Sequence, residues 1–270
     1  MARQRSKTHD PVSDVPKLLS SKAAAEAQKP HLHIYHCGAV CETDKRGYPT
    51  PENRNPTELV LDATEGFIPL WDRDTTLRWR FNEASVAVFL EPDAAKAFLR
   101  NKIRAALALW GASVPVRFTE VSDAWDFEVI FEATPKCSVN GCVLASAFFP
   151  DSGQHDITIF PTLLEQPENE LVEILAHEFG HVFGLRHFFA QVTETAFPSE
   201  IFGTHNEESI MNYGVQSRMT DRDRDDLKSL YEMAWSGQLN QVNGTPVRLV
   251  RPFSHMRVQQ VPLALAARVA

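Results

Sequence analysis

His177-Glu178-Phe179-Gly180-His181-Val182-Phe183-Gly184-Leu185-Arg186-His187 reads H-E-x-x-H-x-x-G-x-x-H. On a helix, His177 and His181 stand four residues apart, so both imidazoles leave one face a turn apart. Two nitrogens so placed can bond one ion at about 2.0–2.1 Å. Glu178 then projects beside the ion without being forced to ligate it. Gly184 follows one turn after His181, where a helix can end through the left-handed region without a Cβ clash. The chain can turn there and bring in His187 as a third nitrogen. Three protein nitrogens with an open fourth position are the pattern of a catalytic rather than a structural zinc.

The surrounding pattern predicts a mixed α/β domain. Leu77, Trp79 and Phe81 alternate with Arg78 and Arg80, a strand signal. Pro92-Asp93 opens a helix whose apolar stripe is Leu99, Ile103, Ala106, Leu107 and Trp110, and Gly111 ends it. Val116, Phe118 and Val121 alternate, as do Phe127, Val129 and Phe131. Val143 to Phe149 is a further strand candidate, with Ile157 and Ile159 marking another. The histidine helix is expected from about Glu168 to Leu185, with Leu171, Ile174, Leu175, Phe179 and Val182 inward. Strand, helix, several strands, helix gives a sheet backed by two long helices. Thr220-Asp221-Arg222-Asp223 has the form of a capping box, followed by a helix bearing Leu227, Leu230, Tyr231 and Trp235.

Outside this region the signals weaken. Residues 1–66 read as an amino-terminal extension, polar and alanine-rich at first, then loop-rich around Tyr48 to Pro56, and a candidate pro-segment. Residues 67–236 form the expected catalytic domain, and 237–270 a basic tail with Arg248, Arg251, Arg257 and Arg268 and no acid. Asn243-Gly244-Thr245 matches a glycosylation acceptor.

The eleven-residue motif followed by Ser209-Ile210-Met211-Asn212-Tyr213 resembles the metzincin metallopeptidases, whose methionine-containing turn lies beneath the zinc. Trp71 to Phe81, Ala108-Leu109-Trp110, Pro115 to Val121 and Val143 to Pro150 resemble the corresponding stretches of matrixin (matrix metalloproteinase) catalytic domains. Phe188 stands where matrixins usually carry serine, and the gap from His187 to Met211 is longer than theirs. Tyr213 is placed like the zinc-neighbouring tyrosine of astacins and serralysins. The resemblance implies a metzincin-like zincin fold, a twisted mixed sheet backed by two long helices, with a small irregular carboxy-terminal subdomain ending in a helix. It implies one catalytic Zn2+ on His177, His181 and His187, with Met211 packing beneath it. A structural Ca2+ or second Zn2+ is left open, because the matrixin segment that binds them is not matched around Cys137 to Cys142.

From this follow the expected roles. Glu178 takes a proton from the hydrolytic water and returns one to the departing amine. The Tyr213 phenol donates to the developing oxyanion. Val143, Leu144, Ala145, Ser146 and Ala147 offer an edge strand to an extended peptide or protein substrate. The alternative is a non-catalytic or latent zinc-binding protein capped by its own amino-terminal segment.

Four cysteines admit several readings. Cys37–Cys41 and Cys137–Cys142 make two local bridges, or all four thiolates hold a second zinc, or Cys37 caps the catalytic metal. The net charge of −8 argues against nucleic acid as a partner. No run approaches the roughly 18 apolar residues that span a bilayer. Residues 1–30 have no apolar h-region and do not read as a secretory signal, although the family resemblance implies an extracellular setting. A monomer is expected.

Overall fold

The computed structural model of the chain describes residues 15–17, 59–63, 65–138, 141–187, 199–202, 208–212 and 217–258. Two short strands come first, β1 (Leu59–Asp62) and β2 (Ile68–Trp71). The central sheet then begins with β3 (Thr76–Phe81), whose alternate residues Leu77, Trp79 and Phe81 are buried. One helical turn, α1 (Glu83–Val86), leads into the long helix α2 (Pro92–Trp110). Proline at its start needs no N–H partner, and Gly111 at its end has φ 58°. Leu99, Ile103, Ala106 and Trp110 form its buried stripe.

β4 (Arg117–Glu120) and β5 (Phe127–Phe131) return to the sheet. Next come the hairpin β6 (Lys136–Ser138) and β7 (Gly141–Val143), then β8 (Ala145–Ser146) and β9 (His155–Ile159). The sheet order is β4-β3-β5-β9-β8. Its first four strands are parallel and β8 runs antiparallel at the edge. A turn, α3 (Pro161–Leu164), precedes the second long helix, α4 (Glu168–Val182). α2 and α4 pack on each other behind the sheet. Trp110 joins them further, its indole N–H donating to the Ala176 carbonyl at 2.8 Å.

The run expected as one strand from Val143 to Phe149 is divided. Val143 pairs with Lys136 in the hairpin that the Cys137–Cys142 disulfide closes, whereas Ala145 and Ser146 pair with Ile159 and Thr158. An apolar run carries no mark of a change of partner, so periodicity alone could not show the break. That bridge matches one of the two local pairings expected and removes these two thiols from any four-cysteine zinc site. Cys37 and Cys41 lie outside the described residues.

The flanks also differ from expectation. β1, within the supposed extension, pairs antiparallel with β10 (Ser199–Phe202). α5 (Asp221–Trp235) begins with the full capping box between Thr220 and Asp223. Beyond it, where a tail is expected, β11 (Gln241–Val242) and β12 (Thr245–Val250) form a hairpin, and β12 adds parallel to β2. α6 (Phe253–Val258) follows. Asp126, 2% exposed, accepts hydrogen bonds from the backbone N–H of Ser254 at 2.6 Å and of Arg78 at 2.7 Å, which ties this last turn to the central sheet. Order here comes from long-range pairing, which local sequence pattern does not record.

α4 ends at Val182, earlier than the expected Leu185, and two side chains hold the exit. The Trp71 indole donates to the Val182 carbonyl at 2.7 Å. The Tyr231 hydroxyl donates to the Phe183 carbonyl at 3.1 Å and accepts the Trp71 N–H at 3.3 Å. Gly184 then takes φ 91°. A Cβ there would stand 3.1 Å from the Pro69 carbonyl oxygen, in a backbone region that L side chains rarely adopt.

Two outcomes are expected. Gly184→Ala combines left-handed backbone strain of about 1–2 kcal/mol with that close approach, so it lowers the thermal midpoint and weakens metal retention. Differential scanning calorimetry and metal analysis of one preparation check both. Tyr231→Phe leaves two buried backbone groups without a partner and destabilises by roughly 1–3 kcal/mol. Burial pushes the Tyr231 phenol well above its ordinary value of 10.0, so the unfolded chain ionises first as pH rises. The stability held by the neutral phenol is therefore intact below about pH 10 and declines above it, a decline that Tyr231→Phe lessens in denaturant titrations.

Candidate metal centre

α4 carries His177 and His181 on its last turns, and the Gly184 turn returns His187 to the same point. All three are buried, with ligand-capable atoms within 4.8 Å of one another. The Nε2 atoms of His181 and His187 each lie 3.1 Å from that of His177. The outer nitrogens account for the orientation. His177 Nδ1 is 2.8 Å from the Ile210 carbonyl oxygen, and His181 Nδ1 is 2.7 Å from that of Leu185. A carbonyl only accepts, so each of these Nδ1 atoms carries the hydrogen and each Nε2 turns a lone pair inward. Converging lone pairs at this separation fit a small divalent cation among them. Tetrahedral zinc with bonds of about 2.0–2.1 Å sets ligand nitrogens roughly 3.3 Å apart.

Glu178 is buried beside His177, 3% exposed. Met211 is buried under the helix, its sulfur against Gly180. A Cβ at position 180 would overlap that sulfur, so the missing side chain lets the Ser209–Met211 turn close beneath the histidines. Phe149 stands edge-on to His181 at 5.6 Å, next to the sheet edge at β8. Of the expected edge residues, Ala145 and Ser146 are in β8, Val143 is in the hairpin, and Leu144 and Ala147 are in neither strand. Tyr213 lies outside the described residues. His155 opens β9 and sits 2.6 Å from Asp151 Oδ1, stacked on Phe148.

Sequence reading assigned Asp223 to the helix cap alone. Its carboxylate also accepts from Ser209 Oγ at 2.5 Å and from the Ile210 N–H at 3.4 Å, besides Thr220. Since Ile210 supplies the carbonyl that orients His177, the first turn of α5 holds the first histidine at one remove. Ser217 adds its hydroxyl within 2.8–3.3 Å of the Ser209, Ile210 and Asn212 carbonyls. The capping box was the visible signal; the reach across to Ser209 was not.

The chain is similar to several known proteins. The family model described as Matrixin (Peptidase_M10) matches residues 70–232. Stromelysin-3 of Mus musculus is 29% identical over 122 residues, which cover 41% of this chain and 25% of that protein. Metalloendoproteinase 4-MMP of Arabidopsis thaliana is 29% identical over 136 residues, covering 44% and 38% respectively. The matched part is thus well under half of either relative's length. A solved structure of myroilysin overlaps 64% of this chain and 98% of its own, with a TM-score of 0.41 and 12% identity. Matrixins use zinc, and the three-histidine cluster has the donor set for it. With its matched region spanning both long helices, the central sheet and the three converging histidines, the chain belongs to the matrixin family of metzincins.

Proposed function

We propose that the chain is a zinc-dependent endopeptidase in which His177, His181 and His187 hold the metal and Glu178 is the general base. The observation that carries this reading is the convergence of three histidine nitrogens with a buried carboxylate at the next position, in a chain of this family. When bound, zinc supplies Lewis acidity, lowering the pKa of a coordinated water towards about 7 and polarising a carbonyl.

The remaining steps belong to the chain. Glu178 accepts a proton from the attacking water and passes it to the departing amine. Burial keeps bulk water from competing for that proton and strengthens the carboxylate's interactions. The Ile210 and Leu185 carbonyls keep the hydrogens of His177 and His181 on Nδ1, so both rings present Nε2 to the metal throughout turnover. Ala145 and Ser146 offer main-chain groups at the sheet edge to an extended substrate, aligning its scissile bond without demanding a particular side chain. Tyr213 is assigned the oxyanion-donating role from its position two residues past Met211.

The test is cleavage of an unfolded protein by the full chain, with metal content measured on the same sample. Stoichiometric zinc and cleavage that a chelator abolishes are expected, together with a lower thermal midpoint after zinc removal. Glu178→Gln is expected to keep the metal and to lose roughly 100- to 10,000-fold in kcat. A zinc-loaded chain that cleaves no peptide bond would overturn the peptidase reading.

A further inference from the structure

Two elements linked to the third-histidine turn, a strand and a hairpin, lie outside the family match, which spans residues 70–232. β1 precedes that region and the β11–β12 hairpin follows it. They meet through β10, which stands in the sequence between His187 and Met211. On one side, β1 and β10 pair antiparallel, Leu61 opposite Glu200. β1 also touches the turn itself: Leu61 bridges to Leu185, and the Asp62 N–H donates to the Gly184 carbonyl at 3.2 Å. On the other side, the hairpin reaches β10 through Glu200. The Glu200 carboxylate is 6% exposed and accepts from Asn243 Nδ2 at 3.1 Å and from the Thr245 hydroxyl at 2.7 Å.

These contacts form one continuous line from the hairpin to the site. Asn243 and Thr245 bind Glu200, β10 pairs with β1, and β1 bonds Gly184 and Leu185. Leu185 in turn supplies the carbonyl that orients His181, and the same turn delivers His187. A buried carboxylate is costly unless hydrogen-bonded, so the donors that the hairpin supplies favour β10 in the seat that its pairing with β1 defines. The hairpin has its own anchors, with β12 paired to β2 and α6 fastened on Asp126. The line therefore runs between two fixed bodies.

We infer that Glu200 is a positioning residue through which the carboxy-terminal hairpin clamps the Gly184–Leu185 turn and so keeps His181 and His187 in the geometry that retains the metal. This rests on the three-histidine metal reading proposed above but not on cleavage. Loss of an outer partner of a ligand commonly weakens metal binding by about 10- to 100-fold. Glu200 acts through two strands, so the lower end of that range applies.

The experiment measures transfer of zinc from the full chain to a chromophoric chelator, beside the thermal midpoint and the cleavage constants. Glu200→Gln removes one acceptor, and Thr245→Val removes one donor while keeping the shape. Each is expected to speed zinc release roughly tenfold, and Thr245→Ser to restore the wild-type rate. Arg100→Ala, which breaks a surface pair with Glu120 near the opposite sheet edge, is the control for general destabilisation. It should leave zinc release unchanged. Should Glu200→Gln not fold, Thr245→Val and its serine counterpart decide alone. Unchanged release in folded Thr245→Val overturns the inference, as does equal acceleration in Arg100→Ala. A wild-type chain that takes up no zinc overturns it together with the metal reading. A chain that holds zinc and cleaves nothing overturns only the peptidase reading, and the release rates still decide this one.

Discussion

The fold gathers the Nε2 atoms of three histidines in its interior, and the lone pairs that His177 and His181 turn inward repel each other. Nothing in hydrophobic burial favours that arrangement. It persists because the outer nitrogens of His177 and His181 are spent on backbone carbonyls, which fixes both tautomers. The rest of the domain can be understood as the apparatus that holds those carbonyls still. Ile210 lies in a turn tied to Asp223 and Ser217, and Leu185 lies in a turn tied to β1. A cation placed among the nitrogens converts the repulsion into attraction, so metal and fold stabilise each other.

The aromatic residues do related work from behind. Trp110, Trp71 and Tyr231 come from three separate elements and are each almost wholly buried. Each also directs a polar group at a carbonyl of α4 or its exit: Ala176, Val182 and Phe183. A helix end buried without partners would be unfavourable. Here the same side chains fill the core and satisfy that end, so the direction in which the chain leaves the helix is set by packing.

Much of this was legible in the sequence because the signals are local. Pro92, Gly111, the Thr220–Asp223 box and the four-residue histidine spacing each act within a turn or two, and the elements begin or end close to where these residues stand. Other features depend on residues far apart in the chain. β1 meets β10, and β12 meets β2, across separations that no window of sequence spans. Asp223 looked complete as a cap, although its carboxylate has enough lone pairs to serve a second segment. Val143 and Ala145 read as one strand because both are apolar, yet they answer to different partners.

The Cys137–Cys142 bridge closes a ring with a sequence separation of only 5. Ring size governs how much freedom a crosslink removes from the denatured chain. So small a loop is worth about 2 kcal/mol on that account, less than half of what a hundred-residue loop would give. Its influence is therefore one of local shape. It stiffens a short ribbon leading directly into β8, so a reducing milieu would act first on that sheet edge, with the body of the domain left folded.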